Sequence, residues 1–189
     1  MQIGMIGLGR MGANMVRRLM DAGHTCTVYD ANPAAVAELE AAGAEGTAAL
    51  VNLVAALAKP RMVWVMVPAG EITERVIEEL SNHLEAGDCI VDGGNSYFKD
   101  DIRRAEALQA KCIDYLDVGT SGGVWGRERG YCLMSADPRR PLPVWNRSCV
   151  TSPPARRRQR GHLAGQVPGR RPNKAISTAG RVGLGIMSR

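Results

Sequence analysis

Short apolar runs alternate along the first two thirds of the chain with stretches in which apolar residues recur every third or fourth position. Residues 2–6 read as a strand buried on both faces. Residues 10–22 then take helical spacing, with Met11, Met15 and Leu19 on one stripe, Val16 and Met20 beside it, and Arg17, Arg18 and Asp21 facing out. Gly23 is placed to end that helix. Thr25 to Asp30 is rich in β-branched residues and predicts a second strand. Pro33 opens a helix through Ala42, and residues 48–58 give another. The apolar run 61–67 is a strand, followed by a helix striped by Ile72, Val76 and Leu80. Residues 88–92 form the next strand. Ser96 caps a helix whose buried stripe is Ile102, Ala105 and Leu108. A strand at 112–118, a glycine-rich loop at 119–130 and a last short strand at 131–134 complete the pattern. Repeated β-α-β units with right-handed crossovers predict an α/β domain over residues 1–134, with a doubly wound, mostly parallel sheet.

Charge divides the chain at the same place. Residues 1–134 carry 12 Lys+Arg against 18 Asp+Glu, a net charge of −6, whereas residues 135–189 carry 12 against 1, a net charge of +11. The overall +5 therefore describes the tail, and a nucleic-acid reading of the whole chain would rest on a misleading mean. The tail holds 7 of the 10 prolines and no helical or strand period, so it is expected to be disordered. Three readings of it stay open: an out-of-frame continuation, an inert extension, or a basic arm. Its cations are 11 Arg and 1 Lys and its one aromatic is Trp145, a mixture that fits a GC-rich frame shift better than a selected nucleic-acid arm. The five cysteines include no CxxC pair and no His at ligand spacing, so no metal site is expected. The sequence offers no signal-peptide pattern and no apolar segment near the ~20 residues that span a bilayer, which leads to the expectation of a cytoplasmic protein without membrane attachment.

Three loops carry candidate chemistry. Gly7-Leu8-Gly9-Arg10-Met11-Gly12 follows the first strand directly and opens the first helix. In that context each glycine has a mechanical reason. Gly7 makes the tight turn, Gly9 lets a pyrophosphate approach the backbone, and Gly12 lets helix and strand pack closely. The helix N-terminus supplies N–H groups and dipole for the phosphates. This is the Rossmann-type dinucleotide arrangement. Asp30, at the end of the second strand, can accept hydrogen bonds from ribose hydroxyls and repels a 2′-phosphate, so NAD is expected over NADP. Asp92-Gly93-Gly94-Asn95-Ser96 closes and follows the strand at 88–92, where Asn95 can face a nicotinamide amide or a substrate hydroxyl. Alternatively it is a turn asparagine with Ser96 as helix cap. The run Gly119-Thr120-Ser121-Gly122-Gly123-Val124-Trp125-Gly126 can form an anion-binding concavity around Ser121, Gly122 and Gly123, or a linker.

Taken in order, GLGRMG, VYDANP, DGGNSYFKDD and YLDVGTSGGVWGRERGYCLM resemble 6-phosphogluconate dehydrogenase, the decarboxylating enzyme of the pentose phosphate pathway. The resemblance covers residues 1–134 almost continuously. Other β-hydroxyacid dehydrogenases, such as those acting on 3-hydroxyisobutyrate, share the glycine loop and an SGG loop but usually lack GGNS. The resemblance implies that Gly7, Leu8, Gly9, Arg10, Met11 and Gly12 bind the dinucleotide phosphates and that Asp30, Ala31 and Asn32 line the adenosine ribose. It implies that Val67, Pro68 and Ala69 contact the cofactor, that Asn95 touches both nicotinamide and substrate, and that Ser121, Gly122 and Gly123 hold the sugar acid 6-phosphogluconate. Asp30-Ala31 stands where NADP users tend to have Asn-Arg, and Pro68 where a lysine is common. Both departures favour NAD. The family's catalytic lysine and glutamate, in a motif resembling KMVHNGIEY, are not found, so the catalytic residues of this chain are unknown and it is expected to be truncated. The resemblance also implies a homo-oligomer.

Overall fold

The protein is described by a computed structural model over residues 1–135. The expected disordered tail lies outside the described residues. Seven strands, β1 (Gln2–Ile6), β2 (Thr25–Tyr29), β3 (Glu45–Gly46), β4 (Met62–Val65), β5 (Cys89–Asp92), β6 (Asp114–Ser121) and β7 (Cys132–Ser135), form one sheet in the order β3-β2-β1-β4-β5-β6-β7. All neighbours are parallel except β6 and β7, which pair antiparallel from Val118 opposite Ser135 to Ser121 opposite Cys132. The expected doubly wound sheet is therefore present, with one antiparallel edge strand whose direction the sequence pattern does not specify.

Strand alternation divides the core in two. Ile3, Met5, Trp64 and Val91 point to one face, where they pack with α1 (Arg10–Asp21) and α2 (Pro33–Ala41). Ile6, Val63, Val65 and Ile90 point to the other, against α3 (Leu50–Ala56), α4 (Glu71–His83) and α5 (Phe98–Gln109). A helix layer on each face is what lets a parallel sheet bury both sides. Helix α1 ends as its sequence suggests. Gly23 takes φ +84° and donates to Met20, while His24 donates to Leu19 at 3.0 Å, the paired bonds that satisfy a helix's last carbonyls.

Three amphipathic assignments need correction. Helix α4 buries Leu80 as expected, but Thr73 and Ile77 take the places expected for Ile72, which is exposed, and Val76, which is half-buried. The Thr73 hydroxyl donates to the Pro68 carbonyl at 2.9 Å, which fixes that phase. Helix α5 buries Leu108 in the apolar core as expected, but its earlier turns bury Asp101 and Arg104 and leave Ile102 exposed, because there its inner face meets a polar cluster. Arg18, expected on the wet side of α1, is buried, and its Nη1 donates to the Arg127 carbonyl at 2.7 Å. Among the described residues no helix is long and apolar enough to cross a membrane, and no group of three His, Cys, Asp or Glu is placed to hold a metal.

Candidate functional site

The chain runs from β1 outward to β2 and β3, then returns to place β4 on the other side of β1. Crossovers leaving β1 and β4 diverge to opposite faces, and a crevice opens above their carboxyl ends. It encloses about 860 Å³ and is lined by the glycine loop, by Asp30 and Ala31 after β2, by residues 66–69 after β4, by residues 93–95 after β5, and by Thr120 of β6.

The glycine loop is shaped by contacts that only glycine allows. Gly7 lies at φ +89°, and a Cβ there would sit 2.5 Å from the Met66 carbonyl oxygen. A Cβ on Gly12 would collide with the carbonyl oxygen of Gly7, so this residue lets α1 approach the turn. Gly9 differs. It has φ −59°, open to any residue, and a Cβ would meet no protein atom within 4 Å. Nothing in the protein itself calls for glycine at this position. The clear space above it lies at the first turn of α1, whose opening N–H groups have no intrahelical acceptor. A pyrophosphate fits that combination of open backbone, free donors and positive dipole end.

Asp30 follows β2 at the rim of the crevice. Its Oδ2 accepts from the Leu8 N–H at 2.6 Å and its Oδ1 from the Asn32 N–H at 2.7 Å. The carboxylate thus braces the glycine loop and the entry to α2 while still facing the crevice. Two residues assigned to the cofactor stand back from the lining: Leu8 is buried in the core, and the Asn32 side chain caps α2 by accepting from Ala34 N–H at 3.1 Å. Gly7, Gly9, Arg10, Met11, Gly12, Asp30, Ala31, Val67, Pro68, Ala69 and Asn95 all line it.

On the far side, Asn95 projects from a loop held by Asp92, which is almost wholly buried at the end of β5. Asp92 Oδ1 accepts from Gly94 N–H at 2.9 Å, and Oδ2 accepts from the Ser96 hydroxyl at 2.7 Å. Ser96 is therefore not the cap of α5; Tyr97 holds that position and makes no side-chain cap bond. The Tyr115 hydroxyl lies 3.0 Å from Asp92 Oδ2 and 2.8 Å from Asp101 Oδ1. Buried Arg104 donates through Nε to Glu74 at 2.9 Å and through Nη1 to Asp101 at 3.1 Å. Burial, with the nearby Asp92 charge, pushes the Asp101 carboxyl above its ordinary range, against the opposing bonds from Tyr115 and Arg104. The outer end of the cluster behaves oppositely: bonding by Arg103, then Arg104, holds Glu74 down at about 2.

Ser121, Gly122 and Gly123 sit at the same carboxyl edge, because β6 runs on past Asp117, its last residue paired with β5. They do not line the crevice; Thr120 does. Part of the expected glycine loop is regular structure, with β6 reaching Ser121, a 3₁₀ turn at Gly123–Trp125 and a short helix, α6 (Gly126–Arg129). Two of its glycines serve packing: a Cβ on Gly122 would lie 2.7 Å from the Tyr131 ring, and one on Gly126 would collide with it.

Sequence reasoning misses the α4 side of the crevice, where Ile72, Arg75, Val76 and Glu79 contribute lining, along with Tyr29 and Leu50. The signal that could have found it is the misfit of Ile72 and Val76. Once α4 is phased on Thr73, Ile77 and Leu80, Ile72 is an exposed apolar residue and Val76 stands half-buried at the edge of the buried face.

A family model described as the NAD binding domain of 6-phosphogluconate dehydrogenase matches residues 2–140. The NAD(+)-dependent, decarboxylating 6-phosphogluconate dehydrogenase of Haloferax volcanii is 46% identical over 138 residues, which make up 73% of this chain and 45% of that protein. The chain thus spans about half the length of that relative. Among solved structures, 6-phosphogluconate dehydrogenase of Plasmodium falciparum, described with its cofactor NADP+ and its substrate 6-phosphogluconate, matches with a TM-score of 0.68 at 30% identity, over 71% of this chain and 30% of that one. The 3-hydroxyisobutyrate dehydrogenase of Mycobacterium tuberculosis matches with a TM-score of 0.62 at 25% identity, over 70% of this chain and 45% of that one.

Proposed function

Since this chain belongs to the 6-phosphogluconate dehydrogenase family, carrying its NAD-binding domain, we propose that the crevice binds NAD in preference to NADP. We propose further that the reaction of its lineage is the oxidative decarboxylation of 6-phosphogluconate to ribulose 5-phosphate. The observation that carries the first part is the empty space over Gly9 at the N-terminus of α1, with the Asp30 carboxylate at one rim. The pyrophosphate takes the N–H groups opening α1. The adenosine ribose lies toward β2, where Asp30 accepts from its hydroxyls and opposes a 2′-phosphate. Residues 66–69 after β4 and Asn95 would hold the nicotinamide half.

When bound, the nicotinamide accepts a hydride from the substrate hydroxyl carbon. This chain's own residues bind and orient. Asn95 offers an amide to the nicotinamide or substrate, and Ser121, Gly122 and Gly123 offer backbone N–H groups to the sugar acid. The proton transfers belong to a lysine and a glutamate in a motif absent from these 189 residues, so the chain as it stands is expected to bind dinucleotide without turnover. A related 3-hydroxyacid is the second substrate reading, supported by the likeness to 3-hydroxyisobutyrate dehydrogenase. The GGNS string and the 46% identity to a 6-phosphogluconate enzyme favour the first.

Titration of the 189-residue chain with NADH and NADPH, followed by reduced-nicotinamide fluorescence, tests this reading. We expect NADH to bind at least about tenfold more tightly, since like charges brought together at an interface cost several kcal/mol. Equal affinity, or tighter NADPH, overturns the cofactor assignment. Measurable oxidation of 6-phosphogluconate by this chain overturns the expectation of binding without turnover.

A further inference from the structure

The cluster beneath the loop after β5 has a feature that stability alone does not explain. Asp92 uses both carboxylate oxygens on the two residues that flank Asn95: Oδ1 on the Gly94 N–H at 2.9 Å and Oδ2 on the Ser96 hydroxyl at 2.7 Å. Ser96, having given its proton to Asp92, accepts from Arg104 Nη1 at 3.3 Å. That guanidinium also stands 3.7 Å from Asp92 Oδ2. Tyr115 closes the cluster from β6, its single hydroxyl proton shared between Asp92 and Asp101. Asn95 itself is exposed at the crevice. The residue that presents its amide at this end of the site is therefore gripped on both sides by one buried anion.

Burying charges in this way gains little stability over an apolar core of similar volume, because desolvation offsets the attraction between them. What such a network does provide is a single arrangement of the backbone it holds. A loop of Asp-Gly-Gly-Asn-Ser would otherwise sample many conformations, since glycine restricts φ least. We infer that Asp92, Ser96 and Arg104 are positioning residues for Asn95, and that they act on the nicotinamide half of the dinucleotide and not on its ADP half. The inference rests on the dinucleotide reading above and deepens it. The ADP half is held at α1 and Asp30, on the β2 side of the crevice, and the hydrogen bonds that join the three residues run to one another and to Glu74, Asp101, Tyr115 and Gly94, away from those elements.

The test compares NADH with ADP-ribose, which keeps the pyrophosphate and both riboses of NADH but lacks the nicotinamide ring. Both are titrated by calorimetry into the 189-residue chain and into Ser96→Ala, Ser96→Thr and Asn95→Ala variants. Loss of the Ser96 hydroxyl, with its short bond to Asp92 and its longer one from Arg104, predicts that Ser96→Ala weakens NADH about three- to tenfold. ADP-ribose should stay within about twofold, and this also reports that the variant is folded. Ser96→Thr keeps the hydroxyl and should restore the NADH value. Asn95→Ala should remove the advantage of NADH over ADP-ribose, and adding Ser96→Ala to it should then change nothing further. Equal weakening of both ligands, loss of ADP-ribose binding, or an additive double variant overturns the inference. So does a wild-type chain that binds NADH no more tightly than ADP-ribose. A wild-type chain that binds neither ligand instead removes the dinucleotide reading, and the inference falls with it.

Discussion

Two of the loops that bound the crevice lean on different principles. The loop after β1 is held by shape. Gly7 and Gly12 are pressed against the Met66 and Gly7 carbonyls, and any side chain there meets backbone that cannot move aside. The loop after β5 is held by charge, its Gly94 and Ser96 tied to a buried Asp92 that Tyr115 and Arg104 surround. The contrast shows that a glycine-rich string near a ligand is not one kind of object. In the first loop Gly7 and Gly12 define the conformation and Asp30 braces it through the Leu8 N–H; in the second Gly93 is pressed against Trp64, while Gly94 permits a conformation that Asp92 imposes.

The largest effect should come from removing that carboxylate. Asp92→Ala leaves Arg104 and the Gly94, Ser96 and Tyr115 donors without their shared acceptor. Breaking a buried ionic cluster from one side costs about 3–5 kcal/mol, which urea unfolding would read. A loss below ~1 kcal/mol would mean that charge does not hold the second loop. Gly12→Ala follows. Alanine in place of a helical glycine gains at most about 1 kcal/mol in propensity, whereas its methyl collides with the fixed Gly7 carbonyl. The clash should win, with a net loss of about 1–3 kcal/mol and no NADH binding. Unchanged stability would show that shape does not set the first loop.

Asp101→Asn should have a smaller effect, and one that depends on pH. A carboxyl raised by burial keeps its proton in the folded state above 3.8, its ordinary value, so wild-type stability falls as pH rises from there through the folded value. The asparagine variant lacks that decline, and its stability relative to wild type should be greater at neutral pH than in mild acid. Glu74 acts in the opposite sense and mainly at lower pH. Its stabilisation is present above 4.5 and is lost as pH falls toward about 2. Parallel pH curves for variant and wild type would exclude Asp101 as a titrating member of the cluster. The smallest stability change belongs to Gly9→Ala, expected below about 1 kcal/mol because the backbone there suits alanine. Its NADH affinity should nevertheless fall at least about tenfold, since a methyl there fills the space a phosphate needs. That outcome separates a glycine kept for the ligand from those kept for the fold.

The same contrast explains what can be read from the sequence. The first loop is legible because its causes are local: three glycines at fixed offsets between an apolar strand and an amphipathic helix. The doubly wound sheet is legible in the same way, from the alternation of strands and helices. The second loop is half legible. Asn95 stands out, but the partners that hold it do not, because periodicity assumes that polar residues face water. On α5 that assumption puts Ile102 inside and leaves Asp101 and Arg104 outside, whereas the structure has the reverse. Arg18 escapes for the same reason, since its partner, the Arg127 carbonyl, lies 109 positions away. Ile72 and Val76 read as core because a crevice wall is apolar too, and only the Thr73 bond to Pro68 sets the phase.

Asp30 has a consequence for how such a protein could change over time. The carboxylate proposed to face the sugar of the nucleotide also ties down the amides of Leu8 and Asn32. On that proposal, selectivity and local architecture are inherited together. A descendant that admitted a phosphorylated ribose by losing this acid would also release the turn on which the first helix begins. Retuning toward the other nucleotide therefore requires a replacement at position 30 that still accepts from both amides, or a compensating change nearby that arrives first.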